Sequence, residues 1–368
     1  MPSRSPKPNR PRVHRPRHAS QAAKVGLAPG ALVHVGERKT EAPTITLVEY
    51  GETEIAEYCF TSVEESRGFT PRLPVVWLNV HGLHDTEVLA EIGRRFRLHP
   101  LVIEDILNTN QRPKVDDYGD YLFIVARFFE LEGEPRTVTS DQVSLILGPN
   151  FVLSFQERPS GRFDPVRERL RQDRGQIRRL GADYLAYSLL DSIVDRYFTI
   201  LEDIGERTED LEDEILERAR PGALQAVHHL KRETLALRRS VWPLREVINA
   251  LTRDDNRFFR PETRPYLRDV YDHTVHAIES LEANRDVIAG MLDIYLSAVS
   301  NRVNQEVRAL TVVAIIFMPA TLISGIFGMN FKAMPLLDLP AGFAIAIGLM
   351  ATVATTLSVI FWRRRWLE

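Results

Sequence analysis

The sequence predicts an α/β or α+β cytosolic domain on the N-terminal side, followed by a long stalk helix and two transmembrane helices. Three observations predict it. Short β-rich runs alternate with helical patterns between Ala31 and about Glu157, and the period turns helical almost everywhere after Asp183. Two stretches without a charged residue, 309–331 and 339–362, then reach the length a bilayer core requires. The 368 residues leave room for a soluble domain with its own core and something further. With 44% apolar and 26% charged residues the chain is mostly soluble in character, so the membrane part is small.

Residues 1–24 are rich in Pro and Arg, hold no acid and lack an apolar run, which predicts a disordered basic cytosolic tail and not a signal peptide. Without interleaved aromatic residues or a recognisable binding fold, the tail is no argument for a nucleic-acid partner. Cys59 is the only cysteine, which excludes an internal disulfide or a cysteine zinc site. The cytosolic domain is placed at 25–260. Its strands are expected at residues 44–50, 75–80, 121–129, 142–147 and 151–155, several bounded by Pro or Gly. Asp85 can cap a helix whose Val88, Leu89, Ile92 and Phe96 share one face, and Pro100 opens another. Two long antiparallel helices, at about 184–253, flank a break at Pro221-Gly222. The first is strongly acidic, from Asp191 to Glu217; such a run is either a solvated face or a means of concentrating divalent cations.

The stalk helix is placed at 261–308. Val270, Thr274, Ile278, Leu281, Ile288, Leu292, Tyr295, Val299, Val303, Val307 and Leu310 recur at helical spacing and mark a packing seam. A second seam runs through Asp293, Ser297, Ser300, Asn304, Val307, Thr311, Ala314, Met318, Thr321 and Gly325, mostly small or polar. A bundle with such an inner stripe can enclose water, and one helix per subunit implies an oligomer. The first span is placed at 309–329, the outer loop at 330–338 and the second span at 339–362. Phe361-Trp362 before Arg363, Arg364 and Arg365 supplies an aromatic belt and a basic flank, with 363–368 cytoplasmic. An even number of spans puts both termini in the cytoplasm of a cell, or inner, membrane.

Gly328-Met329-Asn330 stands where the first span ends. Magnesium is hard and gives up its waters reluctantly, so a selective mouth can present neutral oxygens to the hydrated ion. Asn330 has an amide oxygen, and Gly328 allows close approach of main-chain carbonyls. The chain lacks a P-loop, a nucleophile elbow, a His-Glu-Xaa-Xaa-His helix and a dinucleotide fingerprint, so it is not read as an enzyme. A receptor without a conduction path would not need a small polar stripe continuing into a span.

At these residues the chain resembles the CorA family of magnesium and cobalt transporters. The resemblance also rests on residues 99–105 (His-Pro-Leu-Val-Ile-Glu-Asp), 111–114 (Gln-Arg-Pro-Lys), 163–167 (Phe-Asp-Pro-Val-Arg), 242–245 (Trp-Pro-Leu-Arg) and 266–273 (Tyr-Leu-Arg-Asp-Val-Tyr-Asp-His). It implies a funnel-shaped homopentameric channel for magnesium, with cobalt or nickel as further cargo. Its gate would close when cytosolic magnesium sits between neighbouring subunits, and no nucleotide would be needed. By position it assigns Asp105 and Asp269 to a principal intersubunit regulatory site and Glu104 with Asp191 to a second. Asp293, Asn304, Leu310, Met318, Thr321 and Asn330 are assigned to the conduction path, with Gly328 and Met329 beside them. The chain departs from the family where Leu336 and Leu337 follow Met334-Pro335 in place of an acid, where Lys332 adds a positive charge, and at Val307 in place of a common Met. A zinc-proton transporter of the same superfamily is the alternative reading.

Overall fold

A single seven-stranded sheet organises the N-terminal half of the chain in the computed structural model, with strand order β2-β1-β3-β7-β6-β5-β4. The strands are β1 (Thr44–Tyr50), β2 (Ile55–Phe60), β3 (Val75–His81), β4 (Lys114–Asp117), β5 (Leu122–Glu132), β6 (Thr137–Leu147) and β7 (Phe151–Gln156). The structure describes residues 26, 28–60, 62, 65, 69–218, 220–329 and 340–364. All five expected strands form. The two additional ones, β2 and β4, are the sheet's edges. Edge strands need little apolar sequence: β4 reads Lys-Val-Asp-Asp, and no residue of β2 is fully buried. Five of the six pairings are antiparallel and only β3–β7 is parallel, so the sheet is mixed.

Two short helices cover one face. Asp85 caps α1 (Thr86–Arg95) as expected, its Oδ1 accepting from the N–H groups of Glu87 at 3.0 Å and Val88 at 3.1 Å. Pro100 opens α2 (Pro100–Leu107), and His99 Nδ1 accepts from Leu101 N–H at 3.2 Å. Leu89, Ile92, Val102 and Ile106 meet Leu47, Leu78, Val80, Phe123 and Phe155 in one buried cluster. Such burial contributes roughly 1.5–3 kcal/mol for each large side chain. Buried polar groups within the sheet bond one another: Trp77 Nε1 donates to Ser154 Oγ at 2.9 Å, and Ser154 Oγ donates to Asn79 Oδ1 at 2.7 Å.

The helix α3 (Asp164–Arg171) leads to α4 (Ala182–Glu217) and α5 (Pro221–Thr252). α4 is held to the sheet by Tyr197, whose hydroxyl donates to Arg127 O at 2.6 Å, and by Asp203, which accepts from Arg136 at 2.8 Å. α5 is held by Glu233, which accepts from the Val138 N–H at 2.9 Å and from Arg207 of α4 at 2.7 Å. Asp203 and Glu233 are therefore structural acids.

α6 (Arg264–Phe327) is one helix of 64 residues, about 96 Å at 1.5 Å per residue. It continues through Pro319, so the stalk and the first apolar span are one element. Inside a bilayer neighbouring groups can offset the hydrogen bond that Pro319 removes. The expected packing seam is buried at Val270, Thr274, Ile278, Leu281 and Ile288, and from Leu292 onward it is at least partly exposed. The second apolar helix is α7 (Gly342–Arg363).

The chain divides into two compact units. One holds the sheet domain to Thr208 with His229–Val287; the other comprises Glu209–His228 and Ile288–Glu368. In the second unit α6 and α7 each contain a window apolar enough to cross a membrane, of which only 6% is buried within the chain. A core helix of a soluble protein would be mostly covered; these two present their apolar faces outward.

Candidate metal sites and conduction path

The four expected regulatory acids fall into two groups, both in the sheet domain. Glu104 and Asp105 lie on α2, where Glu104 Oε2 accepts from the Gly30 N–H at 2.8 Å. Asp105 is held more closely: Gln111 Nε2 donates to Oδ1 at 2.5 Å and Lys114 Nζ to Oδ2 at 2.7 Å. The same ammonium lies 2.7 Å from Asp116 Oδ2 and 5.4 Å from the centre of the Phe123 ring. Burial opposes the Lys114 charge, but its bonds to Asp105 and Asp116 outweigh that and raise its pKa.

Asp191 of α4 and Asp269 of α6 form the second group. Asp191, Asp195 and His273 each present a ligand atom within 4.8 Å of the others. Asp269 Oδ2 lies 3.9 Å from His273 Nε2, while His273 Nδ1 is buried and without a hydrogen-bond partner. Two atoms bound to one ion at about 2.1 Å are at most ~4.2 Å apart, so one divalent ion fits this cluster through a small side-chain rotation or a retained water. Carboxylates with one imidazole suit magnesium through its waters and suit cobalt or nickel directly. Sequence reading did not single out Asp195 and His273 as ligands. The signal available was spacing: Asp195 is four residues from Asp191, and His273 four from Asp269, so each helix presents its pair on one face.

Burial and the nearby Asp195 push the Asp191 carboxyl up to about 6, with Asp269 adding to the rise and Arg169 and His273 opposing it. The folded pKa exceeds the ordinary value of 3.8, so the charged form costs stability; that cost grows as pH rises from about 4 and is complete above about 6. Asp191→Asn should therefore stabilise the metal-free protein at pH 7.5 by about 1 kcal/mol, after discounting for solvent screening of its exposed part. The gain should vanish towards pH 4. Thermal melts in chelator across that range check it.

On α6 the small, polar seam lies on the outside of the single chain. Asp293, Asn304 and Thr321 are exposed, as are Leu310 (71%) and Met318 (68%). Thr311 and Thr321 donate their hydroxyls to Val307 O at 2.7 Å and Phe317 O at 3.0 Å, which leaves their oxygen lone pairs facing outward. Asp293 lines a cavity of about 650 Å³ with Glu217, Arg218, Ser297 and Arg302. The helix ends at Phe327, yet Gly328 N–H still donates to Ser324 O at 2.9 Å, and a Cβ on Gly328 would stand 3.3 Å from that carbonyl. Met329 is 51% exposed. Asn330 and the outer loop, with Lys332 and Leu336, lie outside the described residues.

Residues 74–365 match the family model described as CorA-like Mg2+ transporter protein. The chain is 45% identical over 346 residues to the cobalt/magnesium transport protein CorA of Thermotoga maritima, covering 94% of this chain and 98% of that protein. A zinc transport protein, ZntB of Yersinia pseudotuberculosis, is 24% identical over 76% of this chain and 84% of its own length. Among solved structures, the complete CorA magnesium transporter of Methanocaldococcus jannaschii superposes with a TM-score of 0.70 at 22% identity, over 89% of this chain and 99% of that one, a likeness of fold.

Proposed function

The chain belongs to the CorA-like Mg2+ transporter family, and from that premise we propose that it is a membrane channel subunit conducting magnesium, with cobalt or nickel as further cargo. One observation supports this above the others: a single helix carries an exposed small, polar seam from Asp293 through an uncharged span to Gly328-Met329. Such a stripe, unburied in one chain, is satisfied by copies of itself around water. In this reading the assembly is a homopentamer in the cell, or inner, membrane with both termini cytoplasmic. Asp293, Asn304, Leu310, Met318 and Thr321 line the path, and Gly328, Met329 and Asn330 form its outer mouth. The domains follow the divisions 25–260, 261–308, 309–329, 330–338 and 339–362.

The gate reading builds on the two acidic groups. Glu104 and Asp105 on α2 of one subunit face Asp191 and Asp269 of the next, and a divalent ion between them closes the pore. Asp195 and His273 complete the second half-site. Here the ion supplies positive charge between like-charged carboxylates, and the carboxylates hold and orient it.

Transport needs only a membrane potential in this scheme. A potential of 100 mV supplies about 2.3 kcal/mol per charge, hence ~4.6 kcal/mol for a divalent ion or ~10³-fold accumulation. Purified protein in liposomes should pass magnesium under an inward-negative potential without ATP. An absolute ATP requirement would end the channel reading. The ZntB relative motivates the zinc-proton alternative. Zinc flux that follows an imposed pH gradient at zero potential, with no magnesium flux, would establish it.

A further inference from the structure

Lys114 stands in the place a regulatory cation would take. It lies on the edge strand β4, opposite Val125, and its ammonium bridges Asp105 Oδ2 and Asp116 Oδ2 at 2.7 Å each. The other oxygen of Asp105 already accepts from Gln111 Nε2 at 2.5 Å. This clamp is built from below. Gln142, fully buried, accepts from the Gln111 N–H at 3.1 Å and donates to the Asp105 carbonyl at 3.2 Å. An exposed ion pair would contribute little and bind loosely. Here the lysine side chain is only 33% exposed and Asp105 21%, and the bridging strand fixes where the ammonium can reach.

We propose that Lys114 is a tethered competitor at Asp105: its ammonium holds the carboxylate when no divalent ion is present and sets the concentration at which an ion takes over. The inference rests on the reading of Asp105 as a regulatory ligand. An ion approaching Asp105 either displaces the ammonium or stands beside it, and both weaken binding, the first by competition and the second by repulsion. If the ammonium occupies the carboxylate ten times as often as it leaves it, the apparent dissociation constant rises about tenfold, equivalent to ~1.4 kcal/mol. Among the described residues no lysine clamps Asp269 on the opposing half-site. The partner found for Asp269 is His273 at 3.9 Å, so the threshold is set on the α2 side of the interface. A tethered competitor also suits a sensor of an abundant ion, because it moves the midpoint upward without removing a ligand.

The test is limited proteolysis of the full-length protein in detergent, titrated with magnesium, for the wild type, Lys114→Met, Lys114→Gln and Lys114→Arg. Calorimetric titration with magnesium and cobalt accompanies it. The Met and Gln variants should reach half-protection at about tenfold lower magnesium, and the Arg variant within about twofold of wild type. Removing Lys114 also frees Asp116, so Lys114→Met with Asp116→Asn is included and should keep the downward shift. An unchanged or raised midpoint in folded Met and Gln variants would overturn the proposal, as would a shift that disappears when Asp116 is neutralised. Absence of magnesium protection in the wild type, or its persistence in Asp269→Lys, would instead overturn the regulatory reading beneath it.

Discussion

Asn330→Ala should abolish magnesium uptake while the oligomer still assembles. The Asn330 side-chain amide is the one side-chain oxygen of the Gly-Met-Asn triplet, which follows the end of α6 at Phe327. A fully hydrated divalent ion is retained by hydrogen bonds from its waters to such acceptors, each contributing about 1 kcal/mol net. In the proposed pentamer, five subunits losing one acceptor each forfeit ~5 kcal/mol, more than three orders of magnitude in occupancy of the mouth. α6 ends at Phe327 and α7 begins at Gly342, so the substitution lies outside both helices and assembly should persist. Uptake into liposomes by flux-sensitive dye, beside size-exclusion of the same preparation, reads both. Normal uptake by the variant would remove the proposed mouth.

Asp269→Lys should make closure largely independent of magnesium. In the proposed assembly Asp269 faces Asp105 of the next subunit, and without a cation the carboxylates repel and loosen that interface. A bound ion reverses the interaction and, by preferring the closed arrangement, shifts the population toward it. Sites half-filled near the cellular concentration contribute only ~0.4 kcal/mol each, but ~2 kcal/mol over five interfaces, enough to bias a reversible gate. A lysine places a permanent ammonium where the ion would sit. Asp269 is 64% exposed and its near neighbour is His273, so the longer side chain has room. Protease digestion of the variant should be slow even in chelator, whereas the native protein should be protected only when magnesium is added. Equal magnesium-dependent protection in both proteins would exclude Asp269 from the sensor.

Much of the fold was legible because its signals are local. Short β-rich runs, several bounded by Pro or Gly, located five strands, Asp85 and Pro100 located two helix starts, and an unbroken helical period predicted α6. The edge strands β2 and β4 were not legible: exposed, charged residues satisfy an edge as well as they satisfy a loop. The continuity of α6 through Pro319 was legible, because the small, polar seam and the uncharged span both run across that residue, although proline ends most helices in water.

The candidate site divides in the same way. The proposal that Glu104, Asp105, Asp191 and Asp269 serve a metal came from motif position, and the small, polar seam came from spacing along one helix. What the sequence by itself determined is thus whatever repeats or persists along the chain: periodicity, charge-free length, and the order of the triplet after the span. Only the tertiary structure decided which charges meet. Asp195 and His273 join Asp191 across two helices although they are 78 residues apart in sequence, and the buried carboxylates of Asp203 and Glu233 bond Arg136 and the Val138 N–H. Lys114 comes to rest on Asp105 because an edge strand pairs with β5 at Val125. Coulomb and hydrogen-bond energies depend on distances of a few ångströms in space, and a linear order of residues does not contain those distances until the core has packed.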